Sequence, residues 1–130
     1  MDIRETRDGT GITVTIDRSL DLTSAGDLDK ALSQLFEEGE EPVFIDIAAV
    51  QSIDSAGLTV FLKWHRTALA GNRRFALVRA NDFHRKLLEI TRLDEELVLL
   101  DHPGGSREHP KRRGGPYGER SLSQELERVL

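Results

Sequence analysis

Val43-Phe44-Ile45-Asp46-Ile47-Ala48-Ala49-Val50-Gln51-Ser52-Ile53-Asp54-Ser55-Ala56-Gly57-Leu58 is the stretch that decides the fold. Val43 to Ile47 reads as a strand apolar on both faces, the pattern of a central strand in a sheet covered by other elements. Gln51 to Ser55 is polar and turn-like. Beyond it Leu58, Phe61, Leu62, His65 and Leu69 recur on one face of a helix, and Gly71-Asn72 suits a left-handed C-terminal cap. A buried strand therefore hands over to an amphipathic helix through a loop that ends on a serine.

The same alternation extends outward in both directions. Upstream, Ile12-Thr13-Val14-Thr15-Ile16 alternates apolar and polar residues, the period of a strand with one face on the core. Leu22-Thr23-Ser24 follows, with hydroxyls suited to capping a helix start, and then Ala25, Leu28, Ala31, Leu32, Leu35 and Phe36 at helical spacing until Gly39. Pro42 closes the acidic loop Glu37 to Glu41. Downstream, Phe75-Ala76-Leu77-Val78 reads as another buried strand. Asn81 or Asp82 caps a helix containing Phe83, Leu87, Leu88 and Ile90, and Leu97-Val98-Leu99-Leu100 is a last short strand. This alternation of strands and helices predicts an open α/β sheet.

With 130 residues the chain has room for one core of ordinary size. Its hydrophobic content of 38% and charged content of 32% are those of a globular protein that folds in water. The absence of cysteine excludes disulfide frameworks, thiolate metal sites and cysteine nucleophiles. The start Met1-Asp2-Ile3-Arg4-Glu5 is charged where a signal peptide needs an apolar run, so a cytoplasmic protein is expected. Residues 1–102 carry 12 basic against 19 acidic side chains, a net −7, whereas residues 103–130 carry 6 against 4, a net +2. An acidic domain repels phosphate backbones, so a protein partner is expected, with no direct nucleic acid and no membrane.

From His102 to Gly118 the composition turns to Pro, Gly and basic residues without apolar periodicity. Three segments follow: a domain over 1–102, a flexible basic Pro/Gly linker over 103–118, and an amphipathic C-terminal helix over 119–130 that presents Leu122, Leu126, Val129 and Leu130 on one face. A helix so short is marginal alone and needs a surface, either its own sheet, a partner, or a second copy in a homodimer. The basic run His109-Pro110-Lys111-Arg112-Arg113 reads first as a solvated spacer, with a nucleic-acid or membrane patch as the alternative. His65, His84, His102 and His109 are scattered, and no metal site or cofactor is expected.

The run from Phe44 to Leu58 resembles the signature of the STAS domain, in which an apolar strand leads into Asp-Ser-x-Gly-Leu, here Asp54-Ser55-Ala56-Gly57-Leu58. Leu20-Asp21 resembles the family's Gly-x-Leu-Asp segment, and Thr91-Arg92-Leu93-Asp94 its Gly-Leu-Asp. The similarity covers roughly residues 10–101. Arg18 and Arg92 stand where the family pattern has glycine. The resemblance implies a single STAS-type domain, a mixed β-sheet with amphipathic helices packed mainly on one face. It also implies an anti-sigma-factor antagonist that regulates transcription in a stress response, binding an anti-sigma factor that is also a serine kinase. Ser55 is then the phosphorylated residue, a separate phosphatase restores it, and Asp21, Asp54, Ser55, Ala56, Gly57 and Leu58 form the partner-binding surface.

The residues support such a switch on their own terms. A serine at a helix start is exposed, and the free amides of a first turn stabilise an anion. A phosphate there adds about −1.5 to −2 charges beside Asp54, and an interface fitted to a neutral hydroxyl is lost. Gly57 permits close approach of another backbone, either the sheet or the partner. Other readings remain open: Ser55 as an N-cap worth about 1 kcal/mol, Asp54 as a loop or capping carboxylate, and a STAS scaffold in a signalling or transport assembly that needs no phosphate. An enzyme with Ser55 as nucleophile is disfavoured, because the leading glycine of Gly-x-Ser-x-Gly is missing and no histidine is placed as base.

Overall fold

The computed structural model describes residues 3–105. Five strands form one mixed sheet in the order β1-β2-β3-β4-β5: β1 (Ile3–Asp8), β2 (Gly11–Ile16), β3 (Val43–Asp46), β4 (Phe75–Val78) and β5 (Leu99–Leu100). β1 pairs antiparallel with β2, and the remaining neighbours are parallel. Three helices lie between them, α1 (Leu22–Glu38), α2 (Ser55–Ala70) and α3 (Asp82–Ile90), and a short 3-10 turn (Leu93–Glu95) precedes β5. The C-terminal helix expected over 119–130, the linker from residue 106 on and the homodimer expected through that helix lie outside the described residues.

Alternation along the strands divides the apolar residues into two layers. Ile12, Val14 and Ile16 of β2, Val43 and Ile45 of β3, and Phe75 and Leu77 of β4 share one cluster with Leu28 and Leu32 of α1, Phe61 of α2 and Leu88 of α3. All three helices therefore cover the same face. Phe44, Ala76, Val78 and Leu100 form a second, smaller cluster on the opposite face, built from strand residues alone. This is why Val43 to Ile47 reads as apolar on both sides.

The helix faces differ in detail from the spacing-based expectation. In α2 the buried residues are Gly57, Val60, Phe61, Trp64, His65 and Ala68, while Leu69 is 68% exposed. Trp64 takes the inward place through a 2.7 Å bond from Nε1 to Asp29 of α1 and a ring contact with Phe36, which turns Leu69 outward. In α3 the buried pair is His84 and Leu88, and Phe83 and Ile90 face solvent. The cap of α1 is Asp21 rather than a hydroxyl of Thr23 or Ser24. Asp21 accepts the Ser24 amide at 2.9 Å, and Ser24 Oγ accepts the Asp21 amide in return at 2.9 Å. At the end of α2 the left-handed residue is Asn72, with φ 58°.

The parallel register places the starts of α1, α2 and α3 at one end of the molecule, beyond the carboxyl ends of β2, β3 and β4. In open α/β sheets this is the end where binding sites are built.

Candidate functional site

Two loops meet at that end. Leu20 and Ile53 form a parallel bridge, in which the Leu20 amide donates to Ser52 at 2.8 Å and the Asp54 amide donates to Leu20 at 2.9 Å. The bridge sets Asp21 beside Asp54, and each of these carboxylates caps the helix that follows it. Asp54 accepts from the amides of Ala56 at 2.9 Å and Gly57 at 3.2 Å through one oxygen. Asp21 is held below the usual carboxylate value, first by the Ser24 amide and then by the Ser24 hydroxyl. Both carboxylates are exposed.

Ser55 is the first residue of α2 and is exposed. Asp54, not Ser55, is the N-cap, which overturns the capping alternative for the serine. Its hydroxyl makes no hydrogen bond among the described residues, although its carbonyl accepts from Thr59 Oγ1 at 2.8 Å. Of the first-turn amides, those of Ala56 and Gly57 are already bonded to Asp54, so added charge at Ser55 finds these two donors taken and a carboxylate beside it.

The remaining residues of the motif point inward. Gly57 is buried, and a Cβ placed on it would lie 2.9 Å from both Ile53 Cγ2 and Leu20 Cβ. The close approach that requires this glycine is to the side chains of the Leu20–Ile53 bridge within the chain. Ala56 and Leu58 are half-buried and pack against the core. Of the motif and its capping partner, Asp21, Asp54 and Ser55 are therefore the exposed residues, with Ala56 at their margin.

A residue that sequence reasoning missed supports this loop from below. His84 of α3 is fully buried. Its Nδ1 accepts the Asn81 amide at 3.0 Å, so Nε2 carries the proton and donates to the carbonyl of Val50 at 2.6 Å. The start of α3 is thereby fastened to the β3–α2 loop. Burial pushes the His84 pKa down, against the pull of the Val50 bond. A histidine three residues after Asn81 fits a capping box, but its bond to Val50 depends on tertiary placement. Among the described residues no group of three or more His, Asp and Glu side chains is arranged to hold a metal ion, and no helix is long and apolar enough to cross a membrane.

The fold has relatives of known structure. TM1081 of Thermotoga maritima, a candidate anti-sigma factor antagonist, superposes with a TM-score of 0.70 at 19% identity, over 98% of this chain and 93% of that one. The anti-sigma factor antagonist SpoIIAA in its unphosphorylated form gives a TM-score of 0.65 at 14% identity, over 98% and 95% of the two chains. An anti-sigma factor antagonist from Mycobacterium paratuberculosis gives 0.67 at 22% identity, over 77% and 85%. Among proteins of curated function, none matches the chain. The family profile described as "Mlab, STAS domain" matches residues 3–101. With that span the profile covers every described strand and helix, and the chain belongs to the STAS domain family.

Proposed function

We propose that this protein is an anti-sigma-factor antagonist whose unphosphorylated form binds an anti-sigma factor that is also a serine kinase and so frees a sigma factor. Phosphorylation of Ser55 ends the binding, and a phosphatase restores it. The protein acts as a binding module in the cytoplasm and catalyses nothing itself. The observation that carries this reading is the place of Ser55: exposed, first in α2, with its hydroxyl bonded to no described residue and two carboxylates beside it.

A hydroxyl so placed is open to a kinase and indifferent to the fold. Once phosphorylated it concentrates negative charge next to Asp21 and Asp54, whose oxygens already occupy the amides of Ser24, Ala56 and Gly57. A partner seated on the neutral surface then meets repulsion and an added desolvation cost. A fold neighbour, SpoIIAA of Bacillus, has been solved in a phosphorylated form, at 14% identity and a TM-score of 0.62, which supports a phosphate being compatible with this architecture.

The test is a binding assay with the purified serine-kinase anti-sigma factors of the source organism. Ser55→Ala is expected to bind one of them like the wild type, and Ser55→Asp to bind it poorly. Equal binding of Ser55→Asp and wild type contradicts the switch and favours a scaffold module that needs no phosphate. Turnover of a substrate lost in Ser55→Ala would instead favour an enzyme.

A further inference from the structure

Four large apolar side chains are strongly exposed: Leu22 at 77%, Leu69 at 68%, Phe83 at 50% and Ile90 at 69%. Singly, such residues need no explanation. Their distribution does. Leu69 and Ile90 lie in the last turns of α2 and α3, at the far end of the molecule, whereas Leu22 and Phe83 lie in the first turns of α1 and α3, on either side of Ser55.

The Leu20–Ile53 bridge fixes the nearer of these two. Leu22 and Ser55 both stand two residues beyond the bridge, each the first residue of a helix capped by the aspartate before it. A leucine that is 77% exposed therefore opens the helix beside the one that Ser55 opens. Phe83 is fixed on the other side by different contacts. Its ring meets the edge of His84 at 5.9 Å, and His84 is locked between the Asn81 amide and the Val50 carbonyl of the loop leading to Ser55. Among these apolar groups stand the exposed carboxylates Asp21, Asp54 and Asp82; basic side chains of the same end include Arg18, Arg85 and Arg79, the last engaged with Asp46 at 3.0 Å.

We infer that Leu22 and Phe83 are the apolar anchors of the partner interface, gripping from both sides of Ser55 a protein surface that offers apolar groups bordered by basic side chains. This rests on the reading of Ser55 as the switch and adds how the switch acts. Desolvated apolar contacts carry the energy of such interfaces, and a phosphate between the anchors keeps water in the contact that Leu22 needs dry.

The test uses the kinase that binds the wild-type chain. Leu22→Ser and Phe83→Ser, both on exposed positions, are expected to keep the wild-type melt and to weaken binding at least about tenfold, the loss typical of interface anchors. Phe83→Leu is expected to retain most of the affinity, and Leu69→Ser and Ile90→Ser to stay within about twofold, as remote positions do. If Leu22→Ser and Phe83→Ser bind like wild type while Ser55→Asp does not, the anchors are wrong and the switch stands. If no such kinase binds the wild-type chain, both readings fall.

Discussion

At the scale of single residues, two backbone positions separate what the motif does for the fold from what it offers a partner. Gly57 leaves no room for a methyl group between Leu20 and Ile53. Gly57→Ala is expected to destabilise the domain by about 1 to 3 kcal/mol through overpacking, even though alanine is the better helix former. A urea titration checks it, and a stabilised variant would contradict the packing. Arg92 has φ 65°, in the left-handed region, so its place in the family pattern is one where glycine costs nothing. Arg92→Gly is expected to stabilise by about 0.5 to 1 kcal/mol, read as a rise in melting temperature, since relief of strain exceeds the entropy glycine adds to the unfolded chain. Arg18, the other departure, is not left-handed and leaves the bridge at Leu20 intact.

At the scale of elements, the periodic strands and the three helices were legible because each buries a repeating apolar face. The parts that were not legible have physical reasons. β1, Ile-Arg-Glu-Thr-Arg-Asp, is exposed along nearly all its length and is held by antiparallel pairing to β2, so it carries no hydrophobic signal. The sign available was the turn-forming run Asp8-Gly9-Thr10-Gly11, whose middle pair makes the loop between β1 and β2. The rotation of α2 and α3 followed from buried polar groups, Trp64 on Asp29 and His84 on Val50, whose partners are 35 and 34 residues away. Spacing within one helix says nothing of such partners. The His84 clip also makes a prediction. Its folded-state pKa is lowered, so the neutral ring is favoured in the fold, and the unfolded chain binds the proton first as pH falls below the ordinary value of 6.5. Stability is thus fully present above that value and declines on acidification toward the lowered pKa. Urea midpoints of the wild type are expected to fall between pH 7.5 and pH 5.5 more steeply than those of His84→Gln; parallel profiles would contradict the clip.

At the scale of the whole molecule, the proposed function depends on a surface that changes charge while the core beneath it stays as it was. The exposed hydroxyl of Ser55 was placed from sequence, since a polar loop ending on a serine at a helix start has few ways to be buried. That Asp54 fills helix amides was legible only as one of two open readings, a capping carboxylate or a partner contact, because loop geometry decides which carboxylate reaches them. Trp64, the single tryptophan, sits where α1 meets α2 and reports on that core. Ser55→Asp is expected to leave its fluorescence and the thermal midpoint unchanged, within about 0.5 kcal/mol, as surface substitutions do. The most direct measurement is peptide mapping by mass spectrometry after incubation with the anti-sigma kinase and ATP, followed by the affinity of the modified protein for that kinase. The account predicts a single phosphate on Ser55, an unaltered melt and lost affinity; phosphate on another residue, or undiminished affinity with Ser55 phosphorylated, would contradict it.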